Sequence, residues 1–144
     1  MARAYTIFGL TCWLVAGWSS AFAETAEDQK HAALEIVDQL ADCSAYYNVV
    51  TACARNMQGD VARSAEEGET MARNHATDLI YQFGKFADMS DAALLATLKL
   101  ANEKALSETN KGCQNLAVLI AERAKVCKTV IEHPDTVFIN KLSK

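Results

Sequence analysis

Four cysteines constrain the fold of this 144-residue chain more than any other feature. They form two groups far apart in the sequence, Cys43 with Cys53 and Cys113 with Cys127. An even number of cysteines in a short exported chain is typical of disulfide bonds. The chain lacks the C-x-x-C spacing of dithiol active sites and zinc sites, so we interpret these cysteines as structural.

The first 23 residues have the pattern of a secretory signal peptide. Arg3 provides the positive start, residues 7–18 are almost wholly apolar, and Ala21-Phe22-Ala23 is a small-x-small cleavage pattern. The apolar run of about a dozen residues is shorter than the roughly 20 that a membrane anchor needs. We therefore expect cleavage after residue 23, which also removes Cys12, and a single periplasmic or secreted domain over 24–144.

Composition and periodicity both favour helices. The whole chain has one proline and six glycines, too few for a fold of many short strands and turns. Apolar residues recur every three or four positions in four segments. The predicted helices span about 25–59, 61–87, 90–110 and 113–133, and residues 135–142 are expected to add another turn or two.

Two of these segments carry clear apolar stripes. The first helix has Ala33, Ile36, Leu40, Cys43, Tyr47, Val50, Ala54 and Met57 on one face. The second is predicted to bury Val61, Ala65, Gly68, Ala72, His75, Leu79, Phe83 and Phe86. Ser90 is a suitable N-cap for the third helix. Four amphipathic helices with short links predict an all-α, antiparallel, up-down-up-down four-helix bundle.

Helix geometry limits how the cysteines pair. At 1.5 Å per residue, Cys43 and Cys53 lie roughly 15 Å apart, and Cys113 and Cys127 roughly 21 Å apart. A disulfide needs its two Cα atoms within about 7 Å, so the bonds must join the first helix to the last. Antiparallel neighbours give Cys43–Cys127 and Cys53–Cys113. The other order, Cys43–Cys113 with Cys53–Cys127, requires a long crossover that the sequence does not show.

The charge distribution indicates which partners to expect. The formal net charge is −4, with the acidic excess in residues 24–97 and a basic excess in residues 98–144. We expect the two parts to attract each other within the bundle. An acidic exported protein is a poor match for nucleic acid, and after signal cleavage we expect no membrane association.

No catalytic motif or cofactor site is predicted. The sequence has no G-x-S-x-G nucleophile motif. Met71 and His75 are four residues apart on the second helix, where a thioether and an imidazole suit a soft metal ion such as Cu(I). Met57 and Met89 are further thioethers near helix ends. We prefer the interpretation that the methionines fill gaps in the core and that His75 is a core or boundary residue.

Surface residues offer two further interpretations. Glu66, Glu67 and Glu69 form an acidic run that we interpret as solvated surface, since acid–base chemistry needs burial or a partner group. Tyr46 and Tyr81 would mark a partner-binding site if they were exposed, because tyrosine is enriched at protein interfaces. We prefer the interpretation that these tyrosines pack in the core.

These observations predict an exported, non-enzymatic helical protein that acts through protein–protein contacts. Inhibitors, immunity proteins, chaperones and assembly factors are the types expected of a stapled bundle, by analogy of fold alone. The alternative is a periplasmic carrier of a metal ion or small ligand that uses Met71 and His75. A hydrolytic or redox enzyme ranks third.

Overall fold

The computed structural model describes residues 25–55, 60–109 and 113–143. It contains five helices: α1 (Ala26–Arg55), α2 (Asp60–Phe86), α3 (Asp91–Glu108), α4 (Leu116–Glu132) and α5 (Pro134–Leu142). No strand occurs within those ranges. The all-α prediction is confirmed.

The fifth helix is a difference from the predicted four. Pro134 breaks the hydrogen-bonding pattern of α4, as expected, but it also occupies the first turn of α5. A proline has no backbone N–H, and the N–H groups of a first turn have no intrahelical partner in any case. The break therefore becomes the start of a nine-residue helix. The helix that carries Cys127 is consequently not the last one.

Helix α1 is the centre of the molecule. It contacts α2, α3, α4 and α5, and its buried residues lie on most of its circumference. Ile36, Val37 and Leu40 are fully buried. Glu35, Asp38 and the half-buried Asp42 form a polar strip among the residues of α1 that stay accessible. The apolar stripe that the sequence shows on this helix is thus part of a wider buried surface.

Local capping defines where two of the helices begin. The Thr25 hydroxyl accepts a hydrogen bond from the Asp28 N–H at 3.1 Å, and the Asp28 carboxylate accepts one from the Thr25 N–H at 3.0 Å. This reciprocal pair is a capping box at the start of α1. It also lowers the pKa of Asp28, because the Thr25 donors favour the ionised carboxylate. Ser90 accepts a hydrogen bond from the Ala93 N–H at 3.2 Å, so the predicted N-cap of α3 is confirmed.

The turn between α2 and α3 is a Schellman motif. The Met89 N–H donates to the Gly84 carbonyl at 2.8 Å, and the Asp88 N–H donates to the Lys85 carbonyl at 3.1 Å. Asp88 has a φ of 58°, the left-handed conformation that this motif requires. A Cβ atom at Gly84 would lie 2.4 Å from Leu94 Cδ2, so any larger residue would force the Leu94 side chain to move.

The inner face of α2 differs from the predicted one. Ala76 and Ile80 are fully buried, and Gly84 continues this line, whereas His75 is exposed. The helix is rotated about its axis relative to the predicted stripe. The physical reason is that small residues at 76 and 84 allow close contact with neighbouring helices, which the hydrophobic pattern alone does not encode.

The four cysteines lie at disulfide-bonding distance in two pairs. The Sγ–Sγ distance is 2.09 Å for Cys43–Cys127 and 2.05 Å for Cys53–Cys113. Cys43 precedes Cys53, while Cys127 follows Cys113, so the paired segments run in opposite directions. Residues 113–115 are not helical, since α4 begins only at Leu116. The second cysteine spacing is therefore not that of one continuous helix.

The predicted signal peptide, residues 1–23, lies outside the described residues, as does Met57. Among the described helices, none combines the length and the apolar character needed to cross a bilayer.

Candidate functional site

An open cleft lies where the C-terminal end of α2 meets the N-terminal end of α5. Its volume is about 410 Å³. The last turns of α2 and the first turn and a half of α5 provide the seven residues that line it, Leu79, Gln82, Phe83, Phe86, Pro134, Asp135 and Phe138. We call this site the aromatic cleft. Most of its surface is apolar.

Three phenylalanine rings form the body of the aromatic cleft. The centroid of the Phe138 ring lies 5.7 Å from that of Phe83 and 5.9 Å from that of Phe86. The Phe86 and Phe138 rings are nearly perpendicular, at 89°. Such edge-to-face contacts hold rings in defined positions. Phe83 and Phe138 pack against the core, whereas Phe86 is 49% exposed.

Two polar side chains border the cleft. Gln82 and Asp135 are both exposed, and within the described part of the chain neither makes a hydrogen bond or an ion pair. The Asp135 carboxylate is an acceptor only, while the Gln82 amide both donates and accepts. An apolar floor with a few polar groups at the edge is the usual composition of a binding site.

A second, larger groove follows the polar strip of α1, with a volume of about 690 Å³. Most of its charged groups already have partners. Glu35 pairs with Lys141 at 2.8 Å, and Asp42 pairs with Lys104 at 3.0 Å and with Arg123 at 3.3 Å. These three contacts join the acidic part of the chain to its basic part, as the charge distribution predicts.

The same ion-pair network explains the position of α4. Arg123 is 17% exposed and also binds both Glu108 carboxylate oxygens at 2.8 Å. It therefore links α1, through Asp42, to the end of α3. Because Arg123 contacts Glu108 through Nη2 and Asp42 through Nη1, its geometry is better defined than that of an isolated surface pair. We assign this groove a structural role.

The two residues considered as alternative metal ligands, Met71 and His75, both lie on the surface of α2. Met71 is 68% exposed and His75 is also exposed, so neither fills the core as the preferred interpretation expected. Met89 is half-buried against the core. No cluster of three or more histidine, cysteine, aspartate or glutamate side chains suited to a metal ion occurs in the described residues.

Both tyrosines considered as interface residues pack in or against the core. Tyr46 is 3% exposed, and its ring packs edge-on against Tyr47 with centroids 4.7 Å apart. Tyr81 is half-buried and packs against the core. Tyr46 is buried because neighbouring helices cover α1 on several sides.

Glu69 is also less solvated than the acidic run suggested. It is half-buried near Tyr46 and Tyr47, and its Oε2 atom has no hydrogen-bond partner in the described part of the chain. Burial raises the pKa of Glu69. Burial, and then the charge of Glu69, raise the pKa of Tyr46 to about 12 and also raise that of Tyr47.

Searches of the chain against protein-family models, curated proteins and solved structures find no match. The function must therefore be argued from the geometry of the site.

Sequence reasoning did not identify the aromatic cleft. Phe83 and Phe86 were assigned to the buried stripe of α2, and Phe138 to a tail of one or two turns. The sequence does show that Phe86 lies at the end of its helix and that Phe138 follows a proline. Neither position predicts that the two segments meet.

Proposed function

We propose that this chain is an exported, non-enzymatic binding protein whose aromatic cleft receives an apolar side chain of a partner protein. The observation that carries the proposal is the open group of three phenylalanine rings, with Phe86 49% exposed. Interfaces gain most of their binding energy from a few apolar or aromatic anchors in pockets. Aromatic residues are also enriched at interfaces.

The scaffold around the cleft favours this function. The core is continuous through α1, and two cysteine pairs join α1 to the segment that contains α4. A rigid scaffold lowers the entropy lost on binding. The proposal includes an up-down-up-down antiparallel arrangement of α1 to α4, supported by the order of the cysteine pairs and by the tight turn at Asp88.

The proposed location is the periplasm or the extracellular space. Disulfide bonds persist in oxidising compartments. The pattern of residues 1–23 is that of an export signal, which supports the same location.

Site-specific photo-crosslinking tests the proposal. A benzophenone amino acid replaces Gln82, at the edge of the cleft, in the full chain expressed in a host that exports it. The matched control carries the same group in place of Glu122, which is exposed on α4 and does not line the cleft. We expect a discrete protein adduct from position 82 only.

The Phe86→Asp variant, combined with the photo-reactive group at position 82, should abolish this adduct. Circular dichroism of the variant checks that the helices are retained. Adducts of equal yield at positions 82 and 122, or none at position 82, would show that the cleft is not the binding surface.

A further inference from the structure

The charge of the aromatic cleft indicates which chemical class of ligand it favours. Among the seven described residues that line the cleft, Asp135 is the only charged one. Its carboxylate is exposed and has no partner in the described part of the chain. The nearest lysine in the sequence of α2, Lys85, is not a lining residue. A ligand that brings a cation to Asp135 therefore gains an interaction that the free protein does not make.

The neighbouring polar group is compatible with the same ligand. Gln82 offers an amide oxygen as an acceptor for a second N–H group. The three rings provide the apolar surface on which the aliphatic part of a lysine or arginine side chain packs. A cation over the face of a phenylalanine ring gains a further attraction.

The openness of the cleft favours a segment of a protein over a small molecule. A small ligand usually buries 70–90% of its surface, in a pocket that encloses it. Here one of the three rings is 49% exposed, and the site lies at the rim of two helix ends. A protein segment can place one side chain in such a cleft and cover the exposed ring with its neighbours. The net charge of −4 additionally favours the approach of a basic partner.

We infer that the occupant of the aromatic cleft is a basic segment of a partner protein. Its apolar side chain packs among Phe83, Phe86 and Phe138, and an adjacent lysine or arginine binds Asp135. The inference rests on the proposed function, since it names the chemistry of the partner at the same site.

Two defined peptides test this inference against the folded protein. One is a five-residue peptide Gly-Lys-Trp-Lys-Gly, and the other is Gly-Glu-Trp-Glu-Gly, both with blocked termini. Amide chemical shifts of the isotope-labelled protein are followed during titration with each peptide. We expect the lysine peptide to shift the signals of Gln82 and Asp135, and to bind about tenfold more tightly than the glutamate peptide.

Variants separate the charge from the apolar contact. Asp135→Asn should weaken binding of the lysine peptide roughly two- to fivefold, the range expected for an exposed ion pair, and should not weaken binding of the glutamate peptide, which loses a repulsion. Phe138→Ala should abolish the chemical-shift response to both peptides. Asp38→Asn is the matched control, because Asp38 is an exposed carboxylate on α1 that does not line the cleft.

The possible failures are distinguishable. Equal binding of both peptides, or an unchanged affinity in Asp135→Asn, would overturn the basic occupant while the cleft remains a binding site. A response to decylammonium without any response to the lysine peptide would overturn the protein segment in favour of a small cationic ligand. The absence of both peptide binding and crosslinking at position 82 would reject the proposed function itself.

Discussion

Helices α1 and α5 differ strongly in environment. In α1 the apolar residues Ile36, Val37 and Leu40 are completely buried, whereas α5 has no buried residue. The apolar side chains of α5 pack on the core from one side only and stay partly accessible. Apolar residues in α1 therefore maintain the fold, and those at the α2–α5 junction are available for contact with another molecule.

The cysteine pairs show the same contrast. Cys43 and Cys127 are 1% and 2% exposed and belong to the core. Cys53 is buried near the C-terminal end of α1, but Cys113 is exposed in the non-helical residues before α4. The first pair joins packed surfaces, and the second holds the connection between α3 and α4 against α1.

The largest effect expected of a single substitution comes from truncating the centre of α1. Leu40→Ala should lower the free energy of unfolding by about 3 kcal/mol, because it removes a buried side chain and leaves a cavity. Ile139→Ala in α5, where the side chain is 59% exposed, should change it by less than about 0.5 kcal/mol. Urea denaturation measures both. Similar losses of unfolding free energy in the two variants would contradict the difference in burial between α1 and α5.

Removing each cysteine pair should give unequal losses. The double variant Cys43→Ala with Cys127→Ala should cost about 4 kcal/mol, and Cys53→Ala with Cys113→Ala about 2 kcal/mol. Both cysteines of the first pair are buried, whereas Cys113 of the second pair is exposed, so the first variant loses more packing in addition to the crosslink. Denaturation under non-reducing conditions gives the two values, and peptide mapping of the unmodified protein checks the pairing. A Cys43–Cys53 crosslink in that map would contradict the continuous α1.

The buried tyrosines of α1 should make the protein sensitive to alkali. The pKa of Tyr46 is raised to about 12, from about 10 in an unfolded chain. The folded state thus retains the proton more strongly. Below pH 10 the Tyr46 hydroxyl should not lower the free energy of unfolding. Between about pH 10 and pH 12 the free energy of unfolding should fall, because the unfolded chain loses this proton first.

Tyrosinate absorbance during an alkaline titration measures this pKa. Glu69→Gln should lower it, since one of the charges that disfavour the tyrosinate is removed, while Glu67→Gln, at an exposed position, should not. A Tyr46 that titrates near pH 10 in the native protein would show that this part of α1 is more accessible than the structure indicates.

The smallest effect is expected at the turn after α2, outside the core. Asp88→Gly should raise the free energy of unfolding by about 0.5 kcal/mol, because glycine adopts the left-handed conformation without strain. The gain is reduced by loss of the exposed ion pair with Lys30. Asp88→Asn is the control, since asparagine tolerates the same conformation but also lacks the charge. Calorimetry that shows a large loss for the glycine variant would assign the ion pair a greater role.

Features of the fold that depend only on near neighbours in the sequence were predictable. The Ser90 cap needs only the N–H group three residues later, and it was predicted. The start of α4 was placed at Cys113, three residues early, because no local signal separates the non-helical residues 113–115 from the helix. The inner face of α2 was predicted with the wrong rotation, since His75 and Ala76 are adjacent and either fits an apolar stripe.

The sequence by itself determined that the chain is helical, and its spacing allowed only cysteine pairs between distant segments. Both follow from short-range periodicity and from the rise of a helix. Tertiary structure alone decided that α1 lies at the centre, that Gly84 meets Leu94, and that α5 folds back onto α2. Those outcomes depend on contacts between residues remote in the sequence, such as Phe83 and Phe138, whose packing no local pattern specifies. The aromatic cleft is a product of that packing.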